Sequence, residues 1–321
     1  MGVRSKNRKS QYRAIYELLW LKNPRIYIKD IASKLCIDHR TASNRLNEAY
    51  SLGVITGPQI RKRSYSNMKE YVYFVNSKNP FKTYLKYSKD ENIIYHARML
   101  GFVNTWITAL NKFHVDGEIL YEGYRSDYHL SFAPDHSWEK SIQLMKKKIE
   151  NFNEDKYNRN TIIETHWNES IPWDSESEKL YREFKYDLRS PITPIMKRNL
   201  ISGQKIYEFL ERLPDCCSIT TSYFPEGISA YDPYFFLFET DYEDFIIELF
   251  SLLPTSCFFF KVADRLFAYA HIEKQLIRCE GLNMANVKQL HIPLVLNELL
   301  EKGIIKWEDH VIVEYFWSKD F

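Results

Sequence analysis

Apolar positions recur at helical spacing three times before residue 54. Tyr12, Ile15, Leu18 and Leu19 line one side of a helix from Gln11 to Lys22, which Asn23-Pro24 ends. Ile31, Ala32 and Leu35 face one way on a short second helix, and Ala42, Leu46 and Ala49 do so on a third. Cys36 and Ile37 form the turn between them, Asp38 stands at the N-cap, and Gly53 closes the third helix. The opposite face carries His39, Arg40, Thr41, Ser43, Asn44 and Asn47, the pattern of a helix-turn-helix with a polar recognition helix. Val54-Ile55 and Glu70 to Val75 alternate as strands around a basic tip, which predicts a β-wing.

From residue 91 the period changes. Ile93 to Phe102 reads as a strand, Val103 to Phe113 as a helix, and Gly117 to Tyr124 and Tyr128 to Ala133 as strands. Ser137 to Phe152 is a helix with Ile142, Met145 and Ile149 inward, and Thr161 to Trp167 a last strand. The order βαββαβ predicts a ferredoxin-like fold. The pattern then starts again. Helices at Ser177 to Leu188, Pro191 to Asn199 and Gly203 to Leu213 make a second helix-turn-helix, followed by a strand at Ser218 to Phe224. Strands at Tyr234 to Thr240, Cys257 to Val262, Leu266 to Ile272 and Val311 to Trp317 enclose helices at Asp241 to Leu253 and Ala285 to Lys302. The fold class is α+β, one unit repeated twice: residues 1–82 a winged helix-turn-helix, 91–170 a ferredoxin-like domain, 177–227 a degenerate helix-turn-helix, and 228–321 a second ferredoxin-like domain.

Charge sharpens this division. The chain of 321 residues has a net charge of +2, yet residues 1–82 hold 17 Lys and Arg against 5 Asp and Glu, a balance of +12. The second helix-turn-helix, from Ser177 to Tyr223, holds 8 against 6. A cationic head on a mildly acidic body favours a polyanionic partner for the head. The apolar runs are too short to span a bilayer, and no apolar stretch follows the basic N-terminus as a secretory signal requires. Five cysteines with no C-x-x-C pair suit reduced thiols in a cytoplasm.

With these elements in order, the chain resembles the Lrp/AsnC class of transcriptional regulators, duplicated in one polypeptide, as in an archaeal protein. The resemblance implies a regulator that binds double-stranded DNA as a homodimer, with no enzymatic activity and no cofactor. His39, Arg40, Thr41, Ser43 and Asn44 are the candidates for base contact. Lys34, Arg61, Lys62 and Arg63 are candidates for phosphate contact, and Arg45 either touches a phosphate or braces a neighbour. The class binds small effectors at a loop with Gly and a following Asp, which is similar to Gly123-Tyr124-Arg125-Ser126-Asp127-Tyr128. Gly123, Arg125 and Asp127 are therefore candidate effector ligands, although turn chemistry alone accounts for such a loop. The second copy has Ala263-Asp264-Arg265-Leu266, without the Gly.

An alternative rests on Tyr124 to Leu130, which is similar to a Tyr/Arg/His-bearing stretch of the siroheme decarboxylases, tandem proteins of the same architecture. That resemblance implies basic groups holding the carboxylates of a tetrapyrrole and a proton donor, roles for Arg98, Arg125 and His129. The basic head is the feature it leaves unexplained. The sequence has no glycine-rich phosphate loop and no nucleophile elbow, and the spacings of His114, Asp116, Glu118, His129, Asp135 and His136 match no metal motif.

Overall fold

The computed structural model describes residues 3–274 and 291–318. Its elements in chain order begin with helices α1 (Val3–Leu21), α2 (Ile28–Leu35) and α3 (His39–Ser51) and strands β1 (Ile55–Lys62) and β2 (Tyr71–Asn76). Next come α4 (Pro80–Tyr87), β3 (Ile93–Gly101), β4 (Thr105–Ala109), β5 (Glu118–Tyr124), β6 (His129–Leu130) and α5 (Trp138–Glu150). After these follow α6 (Ser175–Phe184), α7 (Ile192–Asn199), α8 (Gly203–Cys216) and β7 (Cys217–Tyr223). The last are β8 (Tyr231–Glu239), α9 (Glu243–Phe250), β9 (Phe258–Val262), β10 (Arg265–Glu273), α10 (His291–Glu301) and β11 (Trp307–Ser318). The fold is mixed α+β, and its large sheet is antiparallel and curled.

Two compact units divide the chain, each drawing on both halves of the sequence: Met1–Arg63 with Ile171–Ser229, and Ser64–Ser170 with Ala230–Phe321. The first unit holds α1, α2, α3 and β1 together with α6, α7, α8 and β7. Cys36 and Leu200, at φ 53° and 55°, end α2 and α7 in the left-handed region, so each short helix turns the same way into the helix after it. Asp38 caps α3 by accepting from the Thr41 amide, and Ser202 caps α8 through the Lys205 amide. β1 takes β7 as its partner instead of β2. The two strands run antiparallel from Ile55 opposite Tyr223 to Lys62 opposite Cys217, with a bulge at Gly57-Pro58. The wing expected from Val54-Ile55 and Glu70 to Val75 is thus replaced by a two-stranded sheet of β1 and β7.

The second unit is built on a nine-stranded sheet of order β5-β2-β4-β3-β11-β8-β10-β9-β6. Its ends approach each other: Arg125 bridges to Val262, and Gly123 packs against Val262 and Ala263. One face buries an aromatic core in which Phe74, Trp106, Phe235, Phe260 and Phe267 pack together. Their rings lie nearly parallel, as in Phe74 and Phe267 at 4.5 Å and Trp106 and Phe235 at 4.9 Å between centroids. On the other face, Tyr71, Tyr73, Val75 and Ile107 pack with Tyr87 of α4.

Two elements differ from the sequence expectation. Val103 to Phe113 is not a helix; Thr105-Trp106-Ile107-Thr108-Ala109 is strand β4, buried at every position and hydrogen-bonded between β2 and β3. A β-branched and aromatic run covered on both faces does not alternate, so its period misleads. The helix of that half is α4, in the stretch read as a linker, where Asn79 caps through the Lys82 amide. α5 packs with α9 and α10 of the later half. The first six residues of the helix expected at Ala285 to Lys302 lie outside the described residues, as does Cys279.

Candidate functional site

The residues assigned to DNA fall into two groups. Lys34, His39, Arg40 and Asn44 are exposed, Thr41 and Ser43 half-buried. The Thr41 hydroxyl is already used, donating to Asp38 Oδ2 at 2.6 Å. Arg45 donates to Gln11 at 2.8 Å and to Glu48 at 2.6 Å, so it braces its own unit. The three wing cations are likewise bound inside that unit. Arg61 donates to the carbonyls of Ile60 and Lys185 and lies over the Tyr186 ring. Lys62 pairs with Glu178 at 2.6 Å beneath the rings of Trp173 and Tyr181, and Arg63 donates to the Pro214 carbonyl. A cation that neutralises a neighbouring carboxylate or saturates its donors on carbonyls has little left for a phosphate.

In the second unit, the strip from Gly123 to Leu130 runs along the edge of β9. Ser126 donates its amide to the Lys261 carbonyl and accepts at its hydroxyl from the Lys261 amide. Arg125 is completely buried. Its Nε donates to Glu70 Oε2 at 2.6 Å, its Nη1 donates to the Ser126 carbonyl, and the guanidinium lies 4.2 Å from the centroid of the Tyr128 ring. Glu70 therefore meets the charge that a substrate carboxylate would need. Arg98 is paired with Glu314 at 2.9 Å, and it alternates with Ala97 and Met99, which face the aromatic core. Arg98 and Arg125 thus have different carboxylate partners. Burial holds the His129 imidazole below its ordinary pKa, so it is neutral at pH 7.

Asp127 is also buried, with Oδ1 accepting from the Ser64 amide at 2.6 Å and its own amide donating to the Glu164 carbonyl. The fold brings His166 to it: Nε2 is 3.3 Å from Asp127 Oδ2. Neither His166 nor Glu164 stands out in the sequence, because the strand expected from Thr161 to Trp167 is only a single bridge, His166 to Tyr65.

A different set of side chains surrounds the aromatic core. Tyr95, Phe102, Tyr121, Tyr128, Tyr269 and Trp307 pack against it while remaining partly open. Tyr269 contacts His271 edge-on at 5.1 Å. Burial pushes the Tyr269 phenol well above its ordinary pKa and brings His271 down to about 4. At neutral pH both are uncharged, the phenol holding its proton. Sequence reading missed this pair because its signal, Tyr and His two apart on a strand, is common.

No family model and no curated protein matches the chain. Two solved structures are similar to it: the crystal structure of the siroheme decarboxylase NirDL, and the same enzyme in co-complex with an iron-uroporphyrin III analogue. They share 12% and 11% identity with TM-scores of 0.49 and 0.47, each covering 96% of this chain and 92% of its own. With siroheme decarboxylases as the solved structures it is similar to, and the wing cations bound inside their own unit, the expectation of a transcriptional regulator is corrected. The expected absence of enzymatic activity falls with it, and double-stranded DNA as partner and the homodimer that a two-fold operator required are left without support.

Proposed function

We propose that the chain is an enzyme that decarboxylates a carboxylate-bearing tetrapyrrole, the activity for which the similar siroheme decarboxylases are named. The observation that carries this reading is the aromatic margin of the second unit. Tyr95, Tyr121, Tyr128, Tyr269, Phe102 and Trp307 border a stack of nearly parallel rings. A flat macrocycle is taken up best by apolar ring surfaces with a few hydroxyls at their edges.

Loss of CO2 from a side-chain carboxylate leaves an electron pair on carbon, and that carbon must take a proton. The chemistry asks for a protonated group in a dry setting. Tyr269 is that donor: burial keeps its phenol protonated, and the neutral His271 ring beside it adds no competing charge. Gly123, Arg125 and Asp127 serve the site from behind. Arg125, matched by Glu70, fixes the Tyr128 ring from below and does not itself meet substrate.

The tandem organisation belongs to the same proposal. β5-β2-β4-β3 and β11-β8-β10-β9 repeat one strand order. The β3–β11 joint and the approach of β5 to β9 are then equivalent seams of two copies. Cys36 and Leu200 play equivalent parts in two helix-turn-helix segments kept as scaffold. No described helix is long and apolar enough to cross a membrane, and the thiols of Cys36, Cys216, Cys217 and Cys257 are unbridged, which suits the cytoplasm.

Titration of the full chain with the iron-uroporphyrin III analogue tests the binding half of the reading. A saturable shift of the main porphyrin absorption band, with quenching of tryptophan fluorescence, is expected. A spectrum identical to that of the free analogue at every protein concentration refutes it.

A further inference from the structure

Behind Tyr128, three potential metal ligands converge: the carboxylates of Asp127 and Glu164 and the imidazole of His166, with one donor atom from each within 4.8 Å of the others. His166 Nε2 is 3.3 Å from Asp127 Oδ2 and 3.7 Å from Glu164 Oε2. Two ligands bound tetrahedrally to one zinc ion, each about 2.0–2.1 Å from it, stand about 3.3–3.4 Å apart. The 3.3 Å separation is that of neighbouring ligands on one ion, the 3.7 Å separation is somewhat wider, and both are long for a hydrogen bond. Both ring nitrogens of His166 are sealed from solvent, and neither makes a hydrogen bond. A buried imidazole left so among carboxylates is costly unless something satisfies it.

The surroundings hold these groups in place. Tyr65 stacks on the His166 ring at 4.6 Å and 16°, fixing its plane. Asp127 is anchored twice, at Oδ1 by the Ser64 amide and at its own amide by the Glu164 carbonyl. On the far side of the ring, Glu169 Oε2 lies 3.5 Å from His166 Nδ1. A carboxylate there holds the ring with Nε2 turned toward Asp127 and Glu164.

We propose that Asp127, Glu164 and His166 bind one divalent ion of the zinc class, a mixed nitrogen and oxygen set with the fourth position open to water. The ion ties the segment from Glu164 to Glu169 onto the strip that carries Tyr128. The site is independent of the tetrapyrrole reading and can exist without it.

The full chain, stripped with a chelator and dialysed, is titrated with CoCl2 and then ZnCl2. One Co2+ per chain is expected, with visible absorption of four-coordinate character that Zn2+ abolishes. Glu164 is largely exposed, so Glu164→Gln keeps the fold by circular dichroism, and it is expected to weaken binding at least about tenfold. Glu169→Gln is expected to weaken it by about ten- to a hundredfold through the imidazole, and His166→Gln to abolish it. Folded protein that takes up neither ion, equal affinity in Glu164→Gln, or a thiolate charge-transfer band placing cobalt on Cys216 and Cys217 would each overturn the proposal.

Discussion

Arg125 Nε lies 2.6 Å from Glu70 Oε2, an ion pair whose arginine is completely buried. The two residues are 55 apart in sequence, and their pairing fastens the strip before Tyr128 to the residue that precedes β2. Removing one member of such a pair leaves an uncompensated charge, which costs more than the pair contributes. Glu70→Ala is expected to destabilise the protein by about 3–5 kcal/mol, read as a lower urea midpoint. Replacing both residues by apolar side chains of similar volume is expected to cost much less. Equal losses in the single and double variants would contradict this.

Two buried histidines make stability depend on mild acid. Burial lowers His96 and His271 to about 4 in the folded protein, against an ordinary value near 6.5. The unfolded chain therefore binds more protons than the folded one between those values. Stability is full above about pH 6.5, falls as the pH drops below it, and stops falling on this account near 4. Each histidine contributes on the order of 3 kcal/mol across that window. Urea midpoints at pH 7 and pH 5 are expected to differ clearly in the natural sequence and less in His271→Phe. An unchanged difference would remove His271 from the explanation.

In the first unit, Glu178 works in the opposite direction from its burial. Burial alone would raise its carboxyl, but hydrogen bonds and charge from Lys62, with Trp173 and Arg182, hold it below the ordinary range. That stability is present above the ordinary pKa of about 4.3 and is lost as the pH falls through the lower folded value. Lys62→Met is expected to cost on the order of 1 kcal/mol at pH 7 and progressively less as the pH falls and Glu178 takes up its proton. A loss independent of pH would mean that Lys62 acts through packing on Trp173 and Tyr181 instead.

Gly101 sits at the seam between β3 and β11, at φ +149° and opposite Val311. A Cβ there would come within 2.5 Å of Val311 Cγ1 and 2.7 Å of the His310 carbonyl oxygen, so Gly101→Ala forces the strands apart. Gly303 also has a positive φ, 67°, but nothing lies within 4 Å of its added Cβ. Gly303→Ala is expected to cost about 1 kcal/mol in backbone strain, and Gly101→Ala well beyond that. Similar melting temperatures for the two variants would contradict the close approach at the seam.

What could be read from the sequence was local. Asp38 caps α3 where its position before an apolar repeat says it should, and α9, β9 and β10 fall where hydrophobic period and Pro254 place them. What could not be read was pairing over distance. Gly57-Pro58 before a basic stretch looks like the start of a hairpin, yet β1 finds its partner 161 residues away, where Gln59 faces Thr220. The basic side chains read as a wing instead bind within their own unit, Lys62 to Glu178 and Arg63 to the Pro214 carbonyl. The carboxylates around His166 were equally hidden, because Tyr65, Asp127 and His166 come from three separate loops. The decarboxylase alternative named Arg125 and His129, but the partners that decide what Arg125 does, Glu70 and Tyr128, emerge only in the fold.

The most direct measurement is anaerobic incubation of siroheme with the full chain and with Tyr269→Phe, followed by product mass and released CO2. The expected result is loss of carboxyl groups as CO2 with the natural sequence, and a rate lower by about a hundredfold or more in the variant while the porphyrin band still shifts on binding. Unaltered siroheme after prolonged incubation with folded protein that binds it, or equal rates in the two proteins, would contradict the assignment of the chemistry to this face.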